Sequence, residues 1–252
     1  RWNPLGLISD ARITYRHRLY RSDKLAFRDN FIGVGIAPAL SGGFLRGGPT
    51  IEFQPASFLQ LWGIYEYIGY FGAFNFLQSY PTADASRIDY SDTELKRRGA
   101  LANDDLAKNY SATGAQFIFG ANLQFKFGSV VVRDQVRFGR PKMSLRAGDR
   151  VFYDIFYDLL VGNDGFWLSN DADLLYQMFD SRLTLGVRYT AGQAFYQDYH
   201  FAPGDDHANA PGSIHRAGPI AAWTFKKPDG ASFEPTLLLV LNWWLKSPYR
   251  TG

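Results

Sequence analysis

Nine basic side chains fall on the polar side of alternating segments along this chain: Arg12, Arg16, Arg18, Lys126, Arg133, Arg137, Arg188, Arg216 and Lys246. Guanidinium forks arranged in a row hold carboxylate or phosphate groups through paired donors, and so replace part of an anion's hydration shell. Asp10, Glu52, Glu66, Asp154, Asp158, Asp171, Asp173 and Glu234 share that side. Nine bases facing eight acids predict internal ion pairing more strongly than an open field for anions.

Other chemistry is sparse. Asp205-Asp206-His207, with His200 nearby, could polarise an attacking water, but a hydrated acidic loop is the simpler reading. A lipid-ester hydrolase would need a serine beside a histidine on the outer surface of the fold. Ser213 and His215 lie two apart with no motif around them, and His17 is isolated, so His215 reads as a surface or interfacial histidine. GxSxG, HExxH, phosphate-loop and dinucleotide patterns are absent. The expectation is no enzyme, no cofactor and no metal.

Composition narrows the class. The 252 residues contain no cysteine, which removes disulfide scaffolds, thiolate zinc sites and thiol nucleophiles together. A net charge of +3 with no basic tract argues against nucleic acid as a partner. The longest uncharged apolar stretch, Thr236 to Leu245, is about half the roughly 20 residues of a membrane-spanning helix. The chain opens at Arg1 with neither Met nor a secretory pattern, as expected of a processed or trimmed chain.

The elements that must position the charges are strands, because alternation with a period of two runs almost from end to end. In the clearest segment Ala115, Phe117, Phe119, Ala121, Leu123, Phe125 and Phe127 oppose Gln116, Ile118, Gly120, Asn122, Gln124 and Lys126. Eleven segments follow the pattern, at about 7–20, 31–40, 49–55, 58–71, 115–127, 130–138, 151–159, 166–174, 183–189, 217–225 and 233–245. Turn residues separate several of them, as at Gly128-Ser129 and Lys227-Pro228-Asp229-Gly230. Two connections, about 72–108 and 197–213, are long and polar, and the first has room for a short helix near Glu94 to Arg98. Gly33 and Gly35 are read as close-packing positions in a strand, not a phosphate loop. One β domain spans 1–252.

The apolar side of these strands is long, and its aromatics gather towards strand ends: Tyr15, Tyr65, Tyr67, Phe125, Phe127, Tyr153, Tyr157, Phe195, Trp223 and Trp243. The opposite side is charged along whole strands, which a dry core tolerates only with every charge paired. In this layout, with a mean hydropathy of −0.22, the chain resembles the outer-membrane β-barrels of Gram-negative bacteria. That resemblance implies an all-β, antiparallel, up-and-down transmembrane barrel of about twelve strands in the outer membrane. Eleven is odd where such barrels are even. The twelfth strand is therefore expected beyond Gly252 or misread inside a connection. Five of the segments, also an odd number, separate the two long connections and so place them at opposite ends, which marks the count as off by one.

The implied function is a small channel or porin for hydrophilic solutes, anionic ones favoured by the arginines, as in small porins for acidic oligosaccharides. Arg12, Arg16, Arg18, Glu52, Lys126, Arg133, Arg137, Asp154, Asp158, Asp171, Asp173, Arg188 and Arg216 would line the pore. The alternative is a non-conducting barrel that scaffolds an envelope assembly through its long connections. Partners would be outer-membrane lipid or lipopolysaccharide, and envelope proteins or further copies of the chain. The pair Asp205 and His207, with Asp171 and Asp173, is also loosely similar to the carboxylate and Asp–His pairs of omptin proteases.

Overall fold

The computed structural model describes residues 8–74, 76–225 and 235–249. Strand makes up 56% of the described residues and helix 8%, and the helix is confined to connections. Fourteen segments form one antiparallel sheet: β1 (Ile8–Asp10), β2 (Ile13–His17), β3 (Phe31–Ile36), β4 (Ala39–Ser41), β5 (Phe44–Gly47), β6 (Pro49–Ala56), β7 (Leu59–Phe71), β9 (Ser111–Phe127), β10 (Val130–Met143), β13 (Phe166–Met178), β14 (Leu183–Phe195), β15 (Ile214–Thr224), β16 (Thr236–Val240) and β17 (Trp243–Lys246). β1 with β2, β3 with β4, β5 with β6, and β16 with β17 are each one pass of the chain, broken by one or two residues. Two of the breaks hold Pro38 and Gly48, where a missing N–H or side chain interrupts a ladder. The sheet is thus a meander of ten passes, each paired to the next. The first and last passes are not paired with each other among the described residues.

The segment at 151–159 is not a pass of this meander, and this corrects the count of eleven. It supplies β11 (Val151–Asp154), which with β12 (Leu159–Gly162) and β8 (Gln78–Tyr80) makes a separate three-stranded sheet. All four residues of β11 and all four of β12 are buried, so both faces of this hairpin are covered. Its apparent apolar–polar alternation arises because Asp154 is turned into the protein, not towards water. With this hairpin removed, four passes separate the two long connections. Residues 72–110, 144–165 and 196–213 then all leave from one end of the sheet. The other end holds short turns at 57–58, 128–129, where Gly128 takes a φ of 60°, and 179–182, together with the longer 18–30 connection. The expected turn at 227–230 lies outside the described residues.

The helix expected near Glu94 is α2 (Asp92–Gly99), the second after the short α1 (Leu25–Arg28). Ser91 caps it by accepting from the Glu94 N–H, and Glu94 pairs with Arg97.

The three long connections fold back onto the polar side of the sheet. Ile64, Ile68 and Tyr70 of β7, Ile118 of β9, Met143 of β10, Trp167 of β13 and Ile214 of β15 form one apolar core with Leu77, Tyr80, Phe152, Leu159, Leu160, Phe201 and Tyr249. This docking also shows that the sheet curls. β5 and β13 lie on passes four apart, about 19 Å in a flat sheet. Yet the Tyr157 ring, tilted against Trp167 of β13 with centroids 3.9 Å apart, lies 5.9 Å from the Arg46 guanidinium of β5.

Candidate functional site

Cross-strand register decides which side chains share a side, since directly paired residues point the same way. The polar side carries Arg46, Glu52, Glu66, Gln116, Arg133, Arg137, Asp171, Asp173, Arg188 and Arg216. The other side exposes Ile32, Val34, Ile36, Ile51, Tyr65, Phe117, Phe119, Val132, Leu174, Val187, Trp223 and Trp243. On the sheet, most of the charges are therefore covered and the large apolar groups bare.

The covered charges resolve into four paired groups. Glu52 is 0% exposed and accepts from Arg12 Nη1 at 3.0 Å and Arg16 Nη2 at 3.1 Å. Arg46, 2% exposed, forks onto Glu66 Oε2 from Nε at 3.1 Å and Nη2 at 2.7 Å, and Gln116 donates to the same oxygen. Asp173 takes Arg133 Nε at 2.9 Å on one oxygen and Arg188 Nε at 2.7 Å on the other. Asp171 accepts from Arg137 at 2.9 Å and from the Thr190 hydroxyl at 2.6 Å. Each carboxylate meets a guanidinium within hydrogen-bond range, as near-neutral composition predicted. Fully covered carboxylates persist only with such partners.

Arg46 also joins the sheet to the inserted hairpin. Its Nη1 lies 3.8 Å from Asp154 Oδ1, and its guanidinium sits 4.5 Å over the Phe156 ring. Burial pushes the Asp154 carboxyl above the ordinary aspartate range, with Arg46 opposing. The sequence reading missed Arg46 because Gly42-Gly43 and Gly47-Gly48-Pro49 flank it like turns. A parity signal was present: Leu45, Ile51 and Phe53 are odd-numbered and outward, whereas Arg46, Thr50 and Glu52 are even-numbered and inward.

Other expected residues sit elsewhere. Arg18 lies off the strands, where it donates to the backbone oxygens of Tyr20 and Arg28 at 3.0 Å and pins the 18–30 connection. Lys126 is exposed at the short-turn end, 3.5 Å from the Ser181 hydroxyl. Asp158 is buried within the hairpin and accepts from the Tyr153 hydroxyl. Arg216 places its guanidinium 5.0 Å over the Trp244 ring. Lys246 is opposite His215 after a register shift, on the apolar side instead of the polar one. Glu234 is outside the described residues.

The loop triplet does not make an Asp–His pair. Asp205 accepts from Thr82, from the Ala202 N–H at 3.0 Å and from Arg87 at 2.7 Å, which ties two long connections together. His207 instead lies 3.5 Å from Asp198. His200 is fully buried as a neutral ring, with Nδ1 accepting from the Gln197 N–H at 2.8 Å and Nε2 3.0 Å from the Asn163 oxygen. Burial lowers its pKa.

Ser213 and His215 are in contact. Ser213 Oγ is 2.8 Å from His215 Nε2, and the Tyr189 hydroxyl is 2.6 Å from His215 Nδ1. No protein family, curated protein or solved structure was found to match this chain.

Proposed function

We propose that the chain is an outer-membrane β-barrel closed at one end by its own long connections, serving as a non-conducting anchor and platform instead of an open porin. The observation that carries this reading is the inverted polarity, with apolar side chains bare on one side and paired charges covered on the other. In a bilayer that bare side is satisfied by lipid. Ten passes is an even number, so the first and last run antiparallel and can close on each other. A thirteen-residue strand such as β13, tilted by roughly 40°, rises about 30 Å, enough for an apolar band of about 25 Å. Three short turns at one end and three long connections at the other fit a periplasmic and an extracellular side, the 18–30 connection being the exception on the short-turn side.

The packing of the connections supports closure. Their aromatic and aliphatic residues pack against the long-connection end of the polar side, and Arg133, Arg137 and Arg188, expected to attract solute, already face carboxylates. The channel reading keeps one supporting observation. Arg12 and Arg16 remain 44% and 53% exposed, so two cations paired with Glu52 stay accessible.

Planar-bilayer recordings separate the two readings. Folded, inserted wild-type protein should pass no stable current, and deletion of 151–162 should open one. Steady conductance from the intact protein, with a reversal potential biased to anions, would reject the closed platform in favour of a porin.

A further inference from the structure

We propose that Ser213, His215 and Tyr189 form a serine-esterase site on the outer, apolar side of the sheet, acting on acyl esters that reach Ser213 from the long-connection end. The choice of a lipid substrate rests on the membrane reading above; the site itself does not. Three observations converge. The serine and tyrosine hydroxyls lie on the two opposite nitrogens of one imidazole, at 2.8 Å and 2.6 Å. Such a nucleophile, base and orienting group in line are what an activated serine requires. All three are on the solvent-reachable surface: Tyr189 is 40% exposed, and neither Ser213 nor His215 is buried. Ser213 and His215 stand at the long-connection start of β15, and Tyr189, the central residue of β14, reaches His215 from the same side, with the apolar side chains of Phe195, Trp243 and Leu245 exposed nearby. An acyl chain would find apolar surface there and its ester group would find the polar trio.

Lys246 adds a charge. It pairs in register with His215, and its Nζ lies 3.9 Å from where a Cβ on Gly212 would stand, so a cation flanks the residue preceding the nucleophile. A tetrahedral oxyanion forming at Ser213 would gain from it.

The chemistry balances with water as the only co-reactant. With the ring proton on Nδ1, His215 donates to the Tyr189 oxygen and Nε2 accepts from the Ser213 hydroxyl. Oγ attacks the ester carbonyl as Nε2 takes its proton. The tetrahedral intermediate collapses, the alcohol departs with that proton, and the acyl group stays on Oγ. Nε2 then takes a proton from water, the hydroxide attacks the acyl carbonyl, and Oγ leaves and regains hydrogen. One ester and one water give one acid and one alcohol. Ser213 and His215 are the catalytic residues. Tyr189 is a positioning residue that holds the productive tautomer.

The test uses detergent-purified full-length protein, its fold verified by circular dichroism and heat-dependent gel mobility. A fluorophosphonate probe with peptide mapping reports the nucleophile, and p-nitrophenyl esters and phospholipid vesicles report turnover. The expected result is an adduct on Ser213 and hydrolysis of both substrates. Ser213→Ala and His215→Asn should each lose at least about 100-fold. Tyr189→Phe should lower kcat about tenfold with KM unchanged. Folded wild-type protein that neither labels nor hydrolyses, or full activity in folded Ser213→Ala, would overturn the site. Turnover of dissolved esters with intact vesicles left untouched would uphold the site and reject the lipid substrate.

Discussion

Replacing Val187 by arginine distinguishes a lipid-facing from a water-facing surface by the size of a single energy. Val187 pairs directly with Leu174 across the β13–β14 ladder, and the two side chains are 56% and 53% exposed. If that surface met water, the substitution would touch no cap, core or charge network and would change stability by no more than about 0.5 kcal/mol. In bilayer hydrocarbon the same charge costs about 2–4 kcal/mol, most at the midplane. Depth sets the place in that range. Val187 and Leu174 are each two residues from the centre of a thirteen-residue strand. That is about 5 Å along the membrane normal for a strand tilted by roughly 40°. The half-height of the apolar band is about 12 Å, so both lie well inside it and a cost of about 3 kcal/mol is expected, more than a hundredfold in the folding equilibrium. Urea-dependent folding into phospholipid vesicles measures it for Val187→Arg and Leu174→Arg. Leu106→Arg is the control, since Leu106 is 83% exposed on the 72–110 connection and should be nearly silent. A Val187→Arg cost below about 0.5 kcal/mol, or an equal cost for Leu106→Arg, would refute the lipid-facing assignment.

Two further outcomes follow from the polar side and its cover. Asp173→Asn removes the carboxylate shared by Arg133 and Arg188, whose side chains retain 29% and 17% exposure. Breaking a fully buried pair costs about 3–5 kcal/mol, and residual hydration of the two guanidiniums reduces this to about 2 kcal/mol. The same vesicle titration reads it, and a loss under about 0.5 kcal/mol would show the cluster to be energetically idle. His200 should make docking of the long connections pH-dependent. Its folded pKa is lowered by burial, so below about pH 6.5 the unfolded connection takes a proton that the folded one refuses. Stability is therefore full above that value and falls as the pH drops towards the folded pKa. Protonation at Nδ1 would also break the bond from the Gln197 N–H. Limited proteolysis at 196–213 should accelerate on acidification, and His200→Gln should abolish that acceleration; an unchanged rate in the wild type would exclude the histidine as its cause.

Local sequence determined the strands and their sides because a strand's side-chain period is two whatever its neighbours. The apolar parity of Phe117, Phe119 and Leu123 and the polar parity of Arg133, Arg137, Asp171 and Asp173 were readable directly, as was the near-neutral balance that predicts pairing. Tertiary structure alone decided who meets whom. Glu66 and Asp154 are 88 residues apart, and they converge on Arg46 only because the sheet curls and the 151–162 hairpin folds into its concavity. That hairpin also shows where alternation misleads. A strand covered on both faces can carry an aspartate on either of them if the third dimension supplies an arginine. Ser213 and His215 lie two residues apart in sequence and carry no motif. What makes them a candidate site is Tyr189, delivered by the β14–β15 register, and register is set by pairing across the whole ladder.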